Sequence, residues 1–312
     1  MKPEIILTAQ GHAGTMATLM NEFTCHKLFE AADRNAFLKG HANTVRGLAT
    51  FGPMPVDGKL MDALPKLEII SNFGVGVDAI NLEDARKRNI IVTNTPDVLN
   101  DCVADTAFAL VLNTVRKFPQ SEAHLRAGHW ASRGPYPLTT SLGGKTLGIL
   151  GLGRIGEAIA KRAAAFGMKI RYHNRRKKEV DYPYDVDPVT LAKNSDVLMI
   201  VTPGGAETNK LVGVKVLDAL GPKGYLINIA RGSIVDEPTL LRYLQEKRIA
   251  GAGLDVFVDE PRVPPEFFAL DNVVLFPHVG SATVETRKAM GDLQIENLRR
   301  HFAGKPVLTR VV

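Results

Sequence analysis

Thr146-Leu147-Gly148-Ile149-Leu150-Gly151-Leu152-Gly153-Arg154-Ile155-Gly156 is the stretch that decides how this chain folds. Five residues of strand character run directly into Gly-x-Gly-x-x-Gly. An alanine-rich helical stretch follows, with Ala158, Ala160 and Ala163–Ala165. A bare glycine spacing says little, but strand, glycine turn and helix in that order form a specific dinucleotide-binding fingerprint. Gly151 permits the tight turn, Gly153 lets the backbone approach a pyrophosphate, and Gly156 lets helix and strand pack closely. With Leu152, Arg154 and Ile155 they make a loop whose amides and helix dipole suit an anion.

The same rhythm continues downstream. Strands are predicted at Lys169–Tyr172, Val197–Val201, Tyr225–Ile229, Gly251–Asp255 and Val273–Phe276, with helices at about 154–166, 188–193, 213–219 and 237–246. Upstream, Ile5–Leu7, Glu68–Ser71 and Ile90–Thr93 read as buried strands, and Leu60–Leu64 and Leu82–Arg88 as helices. Val45–Thr50 reads as a further strand. Alternating helices and near-continuous apolar strands predict parallel sheets covered on both faces. The expected class is α/β, with two doubly wound parallel-sheet domains: a Rossmann-type cofactor domain and a flavodoxin-like substrate domain. One long helix is predicted over about Val103–Arg126, followed by an irregular arm containing His129-Trp130, Gly134-Pro135 and Pro137. A last amphipathic helix, about Val284–Phe302, breaks the alternation, and no sheet strand is expected after it. It is read as crossing back, so the substrate domain comprises 1–99 plus 286–312 and the cofactor domain 100–285.

With 312 residues, about two domains are expected at ~150 residues each. Hydrophobic residues make up 45% and charged residues 23%, which is globular usage and excludes a disordered or fibrous chain. No apolar run approaches the roughly 20 residues of a membrane helix, and Glu4 interrupts the apolar start that a signal peptide would need. Two cysteines, Cys25 and Cys102, are too few for a disulfide framework and lack the partners of a metal site. A cytoplasmic protein is expected, without a metal centre. The net charge of +6 is spread among acids, apart from Arg175-Arg176-Lys177-Lys178, so neither a nucleic-acid nor a membrane partner is expected.

That basic run falls where the second strand of a dinucleotide fold ends. NAD-binding chains commonly place a carboxylate there for the ribose hydroxyls. Here the strand ends at Asn174, and Arg175 and Arg176 follow. A neutral acceptor beside two guanidiniums fits a 2′-phosphate, so NADPH (NADP) is the expected cofactor, with NADH weaker.

Three polar residues follow later strands on the ligand side of the sheet: Arg231 in Asn228-Ile229-Ala230-Arg231-Gly232, Glu260 in Asp259-Glu260-Pro261, and His278 in Pro277-His278-Val279-Gly280. Each alone reads as a loop charge. Together, at one edge with the glycine loop, they suit reduction of a 2-oxo acid. Histidine supplies a proton to the carbonyl. A carboxylate fixes the ring and favours imidazolium. A guanidinium holds the substrate carboxylate and polarises the carbonyl.

These motifs carry a family likeness. With Phe73-Gly74-Val75-Gly76-Val77-Asp78, Asn94-Thr95-Pro96-Asp97-Val98, Val103-Ala104-Asp105-Thr106 and Gly253-Leu254-Asp255-Val256-Phe257, the chain resembles the D-isomer-specific 2-hydroxyacid dehydrogenases over nearly its full length. Within them it looks most like the NADPH-dependent glyoxylate/hydroxypyruvate reductases. The resemblance implies Arg231, Glu260 and His278 as catalytic residues, and substrate contacts from the backbone at Val75 and Gly76, with Arg231 and His278. It implies that Asp255 and Thr106 help place the nicotinamide, and that Thr202, Pro203, Ile229, Ala230 and Gly280 line the cofactor. It also implies a homodimer built through the Val103–Arg126 helix and the arm at Trp130.

Trp130 either reaches a neighbouring subunit's site or anchors the arm by packing. Phe51 and Met54 are candidate neighbours of the substrate side chain. The expected function is reduction of glyoxylate and hydroxypyruvate to glycolate and D-glycerate. The alternatives are a dehydrogenase of a larger 2-oxo acid, and a dinucleotide-sensing scaffold on the same fold.

Overall fold

Alternate residues of one strand feed different layers, and that explains why the strands read as unbroken apolar runs. In a computed structural model describing residues 2–312, the chain divides into two units: residues up to Leu99 with Thr283–Val312, and Asn100–Ala282. The first residue of the expected 1–99 segment lies outside the described residues.

The first unit runs β1 (Glu4–Leu7), α1 (Ala13–Glu22), β2 (Thr24–Lys27), α2 (Arg34–His41), β3 (Val45–Thr50), α3 (Gly58–Asp62), β4 (Ile69–Asn72), α4 (Leu82–Lys87) and β5 (Ile91–Thr93). Its strands are all parallel, in the order β2-β1-β3-β4-β5, a flavodoxin-like arrangement. Ile6, Leu48, Ile70 and Val92 pack on one face with Leu60, Met61 and Leu64. Ile5, Leu7, Ala49 and Ile69 pack on the other with Met16, Leu19, Ile295 and Leu298.

The second unit runs α5 (Asn100–Arg116), α6 (Phe118–Arg126), α7 (His129–Arg133), β6 (Thr146–Leu150), α8 (Arg154–Ala165), β7 (Lys169–His173), α9 (Pro188–Lys193), β8 (Val197–Ile200), α10 (Val214–Leu220), β9 (Tyr225–Asn228), α11 (Glu237–Gln245), β10 (Gly251–Leu254) and β11 (Val273–Leu275). Its parallel sheet has the order β11-β10-β9-β8-β6-β7. Outside β7, Tyr172 accepts a backbone hydrogen bond from Asp185 (2.8 Å) and donates one to Pro183 (3.0 Å). The forked pair of Arg171 with the buried Asp185 pins this bridge, at 2.8 and 2.6 Å. Counting that bridge as the third strand, the order becomes the dinucleotide-binding 3-2-1-4-5-6 with one strand added. The order reverses between β6 and β8, where the glycine loop lies.

Two expectations need correction. The helix expected over Val103–Arg126 is two helices, α5 and α6. Lys117 between them is left-handed (φ 50°), and Pro119 stands in the first turn of α6. Proline has no amide hydrogen and clashes with the preceding turn, so it starts a helix and cannot continue one. The final helix α12 (Val284–Phe302) packs against α1 and β4 in the first unit, but the chain after it does add to a sheet. Val311 donates to Val92 (2.7 Å), Val92 to Val312 (3.3 Å) and Asn94 to Thr309 (3.3 Å), extending the β5 edge antiparallel. No helix among the described residues is long and apolar enough to cross a membrane.

Candidate active site

The glycine loop is built as its residues demand. Gly151 has φ 104°, and a Cβ there would lie 2.6 Å from the Thr202 amide nitrogen. Only glycine can turn so close to the end of β8. A Cβ on Gly156 would lie 2.7 Å from the Gly151 carbonyl, whereas one on Gly153 meets nothing within 4 Å. Gly153 also N-caps α8 with no side-chain cap on the first turn. Arg154 and Ile155 open that helix, leaving amides and open space where a pyrophosphate would sit. This chain's residues fit a dinucleotide on that observation.

Asn174 does more than replace a carboxylate. Its Oδ1 accepts from the Leu152 amide (2.6 Å) and its Nδ2 donates to the Leu152 carbonyl (3.3 Å), bracing the loop. Arg175 and Arg176 are exposed, and Arg175 is ion-paired with Glu207. Thr202 is half-buried and Pro203 exposed just beyond β8. Ile229 and Ala230 follow β9.

Arg231, Glu260 and His278 come together in the same unit. Asn228 clamps the turn after β9: its Oδ1 accepts from Ala230 (3.1 Å) and its Nδ2 donates to the Arg231 carbonyl (2.9 Å). A Cβ on Gly232 would fall 1.9 Å from the Phe257 carbonyl carbon, so glycine alone lets this turn pass the 257–260 segment. Arg231 also donates to the Ala230 carbonyl (2.7 Å). Glu260 Oε1 accepts from the Phe257 amide (3.0 Å), and its Oε2 lies 2.6 Å from His278 Nδ1. Burial would raise the Glu260 pKa. The hydrogen bonds from His278 and Phe257, with the charges of His278 and Arg231, outweigh it and hold the carboxyl below its ordinary range.

His278 itself has φ 53° and donates its amide to the Asp255 carbonyl (2.9 Å). The Asp255 side chain is buried, and its two oxygens accept from Val279 (2.7 Å) and Gly280 (2.8 Å). Burial pushes its carboxyl pKa up, opposed by those two amides. Thr106 donates to the carbonyls of Cys102 (3.2 Å) and Gly280 (3.4 Å). Asp255 and Thr106 therefore grip the 278–280 turn. The strand-end placement of Asp255 was legible in sequence, but its grip on two downstream amides was not.

The other unit carries Val75 and Gly76 on the turn after β4. Asn72 Nδ2 donates to the carbonyls of Gly74 (3.1 Å) and Gly76 (2.9 Å), and Asn94 to that of Val75 (2.9 Å). Within that unit no described group accepts from the amides of Val75 and Gly76. Phe51 is buried against Phe73 (ring centroids 5.2 Å) and lines a concavity with Gln10, His12 and Arg287. The buried Nδ1 of His12 has no hydrogen-bond partner. Sequence reasoning missed Gln10, His12 and Arg287, which carry no motif. Met54 packs against the α3 side of the core and stands apart from those lining residues. Trp130 is 63% exposed in α7, so it does not anchor the arm by packing within its own chain.

A doubly wound sheet with an open glycine loop at its switch point, and a carboxylate-held histidine at the same strand ends, defines a nicotinamide-dinucleotide oxidoreductase. The chain belongs to the D-isomer specific 2-hydroxyacid dehydrogenase family, whose NAD-binding-domain model matches residues 108–280. It is 50% identical over 277 residues to a hydroxyphenylpyruvate reductase of Plectranthus scutellarioides, covering 88% of each chain. It is 47% identical over 295 residues to a glyoxylate/hydroxypyruvate reductase A of Arabidopsis thaliana, covering 94% of each. Among solved structures it resembles an NADPH-dependent glyoxylate/hydroxypyruvate reductase of Sinorhizobium meliloti in complex with NADP and malonate. The TM-score is 0.94 at 46% identity, over 100% of this chain and 97% of that one.

Proposed function

We propose that the protein is a cytoplasmic, NADPH-preferring reductase of glyoxylate and hydroxypyruvate, giving glycolate and D-glycerate. The single observation that carries the reading is the 2.6 Å contact between Glu260 and His278 at the strand ends of the dinucleotide-binding sheet. When bound, the dinucleotide supplies the hydride. The loop Gly151–Gly156 would hold its pyrophosphate, with Arg175 and Arg176 at its 2′-phosphate. Thr202, Pro203, Ile229 and Ala230 would line it.

Glu260 holds His278 by Nδ1, which leaves Nε2 as the atom that gives a proton to the substrate oxygen. Arg231 binds the substrate carboxylate in a forked contact and stabilises charge growing on the carbonyl oxygen. The backbone amides of Val75 and Gly76, on the turn after β4, would offer further donors to a carboxylate. Residues 100–285 serve as the cofactor domain in this reading, and 1–99 with 286–312 as the substrate domain. The exposed Phe118, Leu125, Trp130 and Leu138 support a homodimer built through this arm, since a concentration of exposed large apolar side chains marks an interface. The NADP-bound relative supports the cofactor preference.

A larger 2-oxo acid is the competing substrate, favoured by the Plectranthus relative's name. The test follows nicotinamide absorbance with glyoxylate, hydroxypyruvate, hydroxyphenylpyruvate and 2-ketogluconate, each with NADPH and NADH. The highest kcat/KM is expected for glyoxylate or hydroxypyruvate with NADPH. A higher value for an aromatic acid, or for NADH, overturns the corresponding part of the reading. No turnover with any of them favours a sensing scaffold.

A further inference from the structure

One group of side chains in the first unit takes no part in the chemistry above. β1 and β2 run parallel, with Glu4 opposite Thr24 and Ile6 opposite His26. Residues two apart on a strand share a face, so Glu4 and His26 project together. His26 Nε2 lies 2.8 Å from Glu4 Oε2. His41, the last residue of α2, lies against His26 with ring centroids 3.8 Å apart and the planes tilted by 31°. Phe37, one turn earlier, backs the His41 ring at 4.7 Å. One ligand atom from each of Glu4, His26 and His41 lies within 4.8 Å of the others, and all three residues are half-buried.

We propose that Glu4, His26 and His41 form a binding site for a divalent transition-metal ion of the zinc class, with water completing the coordination. Two imidazoles and a carboxylate are a donor set that zinc accepts and that hard cations such as magnesium do not prefer. Zinc–ligand bonds of about 2.0–2.1 Å place tetrahedral donors roughly 3.4 Å apart. The three donor atoms already lie within 4.8 Å of one another, and Glu4 keeps 30% of its side-chain surface in solvent.

Thr44 donates to the His41 carbonyl (3.5 Å), tying the loop after α2 to the cluster. Cys25 stands on the opposite face in the core, its thiol pKa pushed up to about 11 by burial, and is no ligand. The ion would fasten the edge strand β2 to β1 and to the end of α2. An ion that binds only the folded chain stabilises it by mass action.

The test strips the full chain with a chelator, then titrates Zn²⁺ against a chromogenic competitor, with Co²⁺ absorption as a second readout. One equivalent is expected to bind, with a Co²⁺ spectrum carrying histidine ligation. His41→Gln and His26→Gln should each weaken binding by more than about tenfold. Zn²⁺ should raise the melting midpoint of the native chain, and Mg²⁺ should not. His41→Gln, at a helix end, keeps the test sound should changes on the strands disturb folding. Unchanged zinc affinity in the double histidine variant would overturn the proposal and place the ion elsewhere, for instance at His124 and His129, whose rings lie 5.3 Å apart. A native chain with neither a Co²⁺ spectrum nor a zinc-dependent melting shift overturns it as well.

Discussion

The two sheets are both parallel and both doubly wound, yet the carboxyl ends of their strands are furnished in opposite ways. In the 100–282 unit those ends carry Arg231, Asp255, Glu260 and His278, side chains whose charges act on one another. In the other unit the ends of β3, β4 and β5 carry Thr50, Asn72 and Thr95, neutral groups that spend their hydrogen bonds on each other and on the turn at Gly74–Gly76. Thr50 donates to Asn72 at 2.8 Å, and Thr95 accepts from Gly74 at 3.0 Å. One edge gathers titratable side chains, and at these three strands the other shapes a backbone turn. The lesson is that one architecture supports either device, and the residues after each strand decide which.

The comparison predicts that damage at the charged edge costs turnover, whereas damage at the neutral edge costs binding and stability. The largest effect belongs to His278→Ala. General acid catalysis is worth about 10²–10⁴-fold, so steady-state kcat should fall by that order while NADPH binding, read by fluorescence titration, is kept. Near-native turnover would remove His278 from its role.

Arg231→Lys comes next. It keeps the charge but loses the fork, so kcat should fall and the KM for glyoxylate rise, together lowering kcat/KM by roughly 10–100-fold. Parallel loss of melting temperature and NADPH affinity, with KM unchanged, would make Arg231 a brace for its loop.

Glu260→Gln should cost about tenfold in kcat, and it carries a pH signature. The Glu260 pKa is lowered in the folded chain, so its stabilising pairing is fully present above the ordinary carboxylate value of about 4.3. The pairing is lost as pH falls through the lowered value. Native activity and melting temperature should share an acid limb below that ordinary value. Glu260→Gln should lose the limb in activity, while its melting temperature keeps a shallower one from the other paired carboxylates, such as Glu22 and Glu68.

At the neutral edge, Asn72→Ala leaves the carbonyls of Gly74 and Gly76 without a donor. A loss of about 1–3 kcal/mol in unfolding free energy is expected in denaturant titration, with KM raised more than kcat is lowered. A selective collapse of kcat would erase the contrast between the edges. The smallest effect is at Glu207, whose exposed ion pair with Arg175 would compete with the 2′-phosphate of the proposed NADPH. Surface pairs are weak, so Glu207→Gln should lower the KM for NADPH by only about two- to threefold and leave that for NADH unchanged.

What the sequence revealed was local. The glycine loop was legible because turn, approach and packing each need glycine within six residues. The ends of β9 and β11 were legible because apolar runs stop abruptly before Arg231 and His278. The helix α12 was legible from its periodicity. What escaped depends on residues distant along the chain. Nothing near Asn174 says that its amide braces Leu152, and nothing near Asp255 says that it grips two amides more than twenty residues later. β2 escaped because Thr24-Cys25-His26-Lys27 is a half-buried edge strand with little apolar pattern. The split at Lys117 escaped because α6 follows α5 after a single residue and buries no side chain, so no apolar face marks it as a second helix.

The left-handed backbone at His278 sets the protein's interests against each other. A residue with a Cβ gives up about 1–2 kcal/mol in that conformation, and asparagine tolerates it better than most. The grip of Asp255 on the following amides holds the histidine there regardless. Selection for heat resistance alone would therefore find strain to relieve at position 278, at the expense of the Glu260 pairing and, on the proposed role of His278, of most of the turnover.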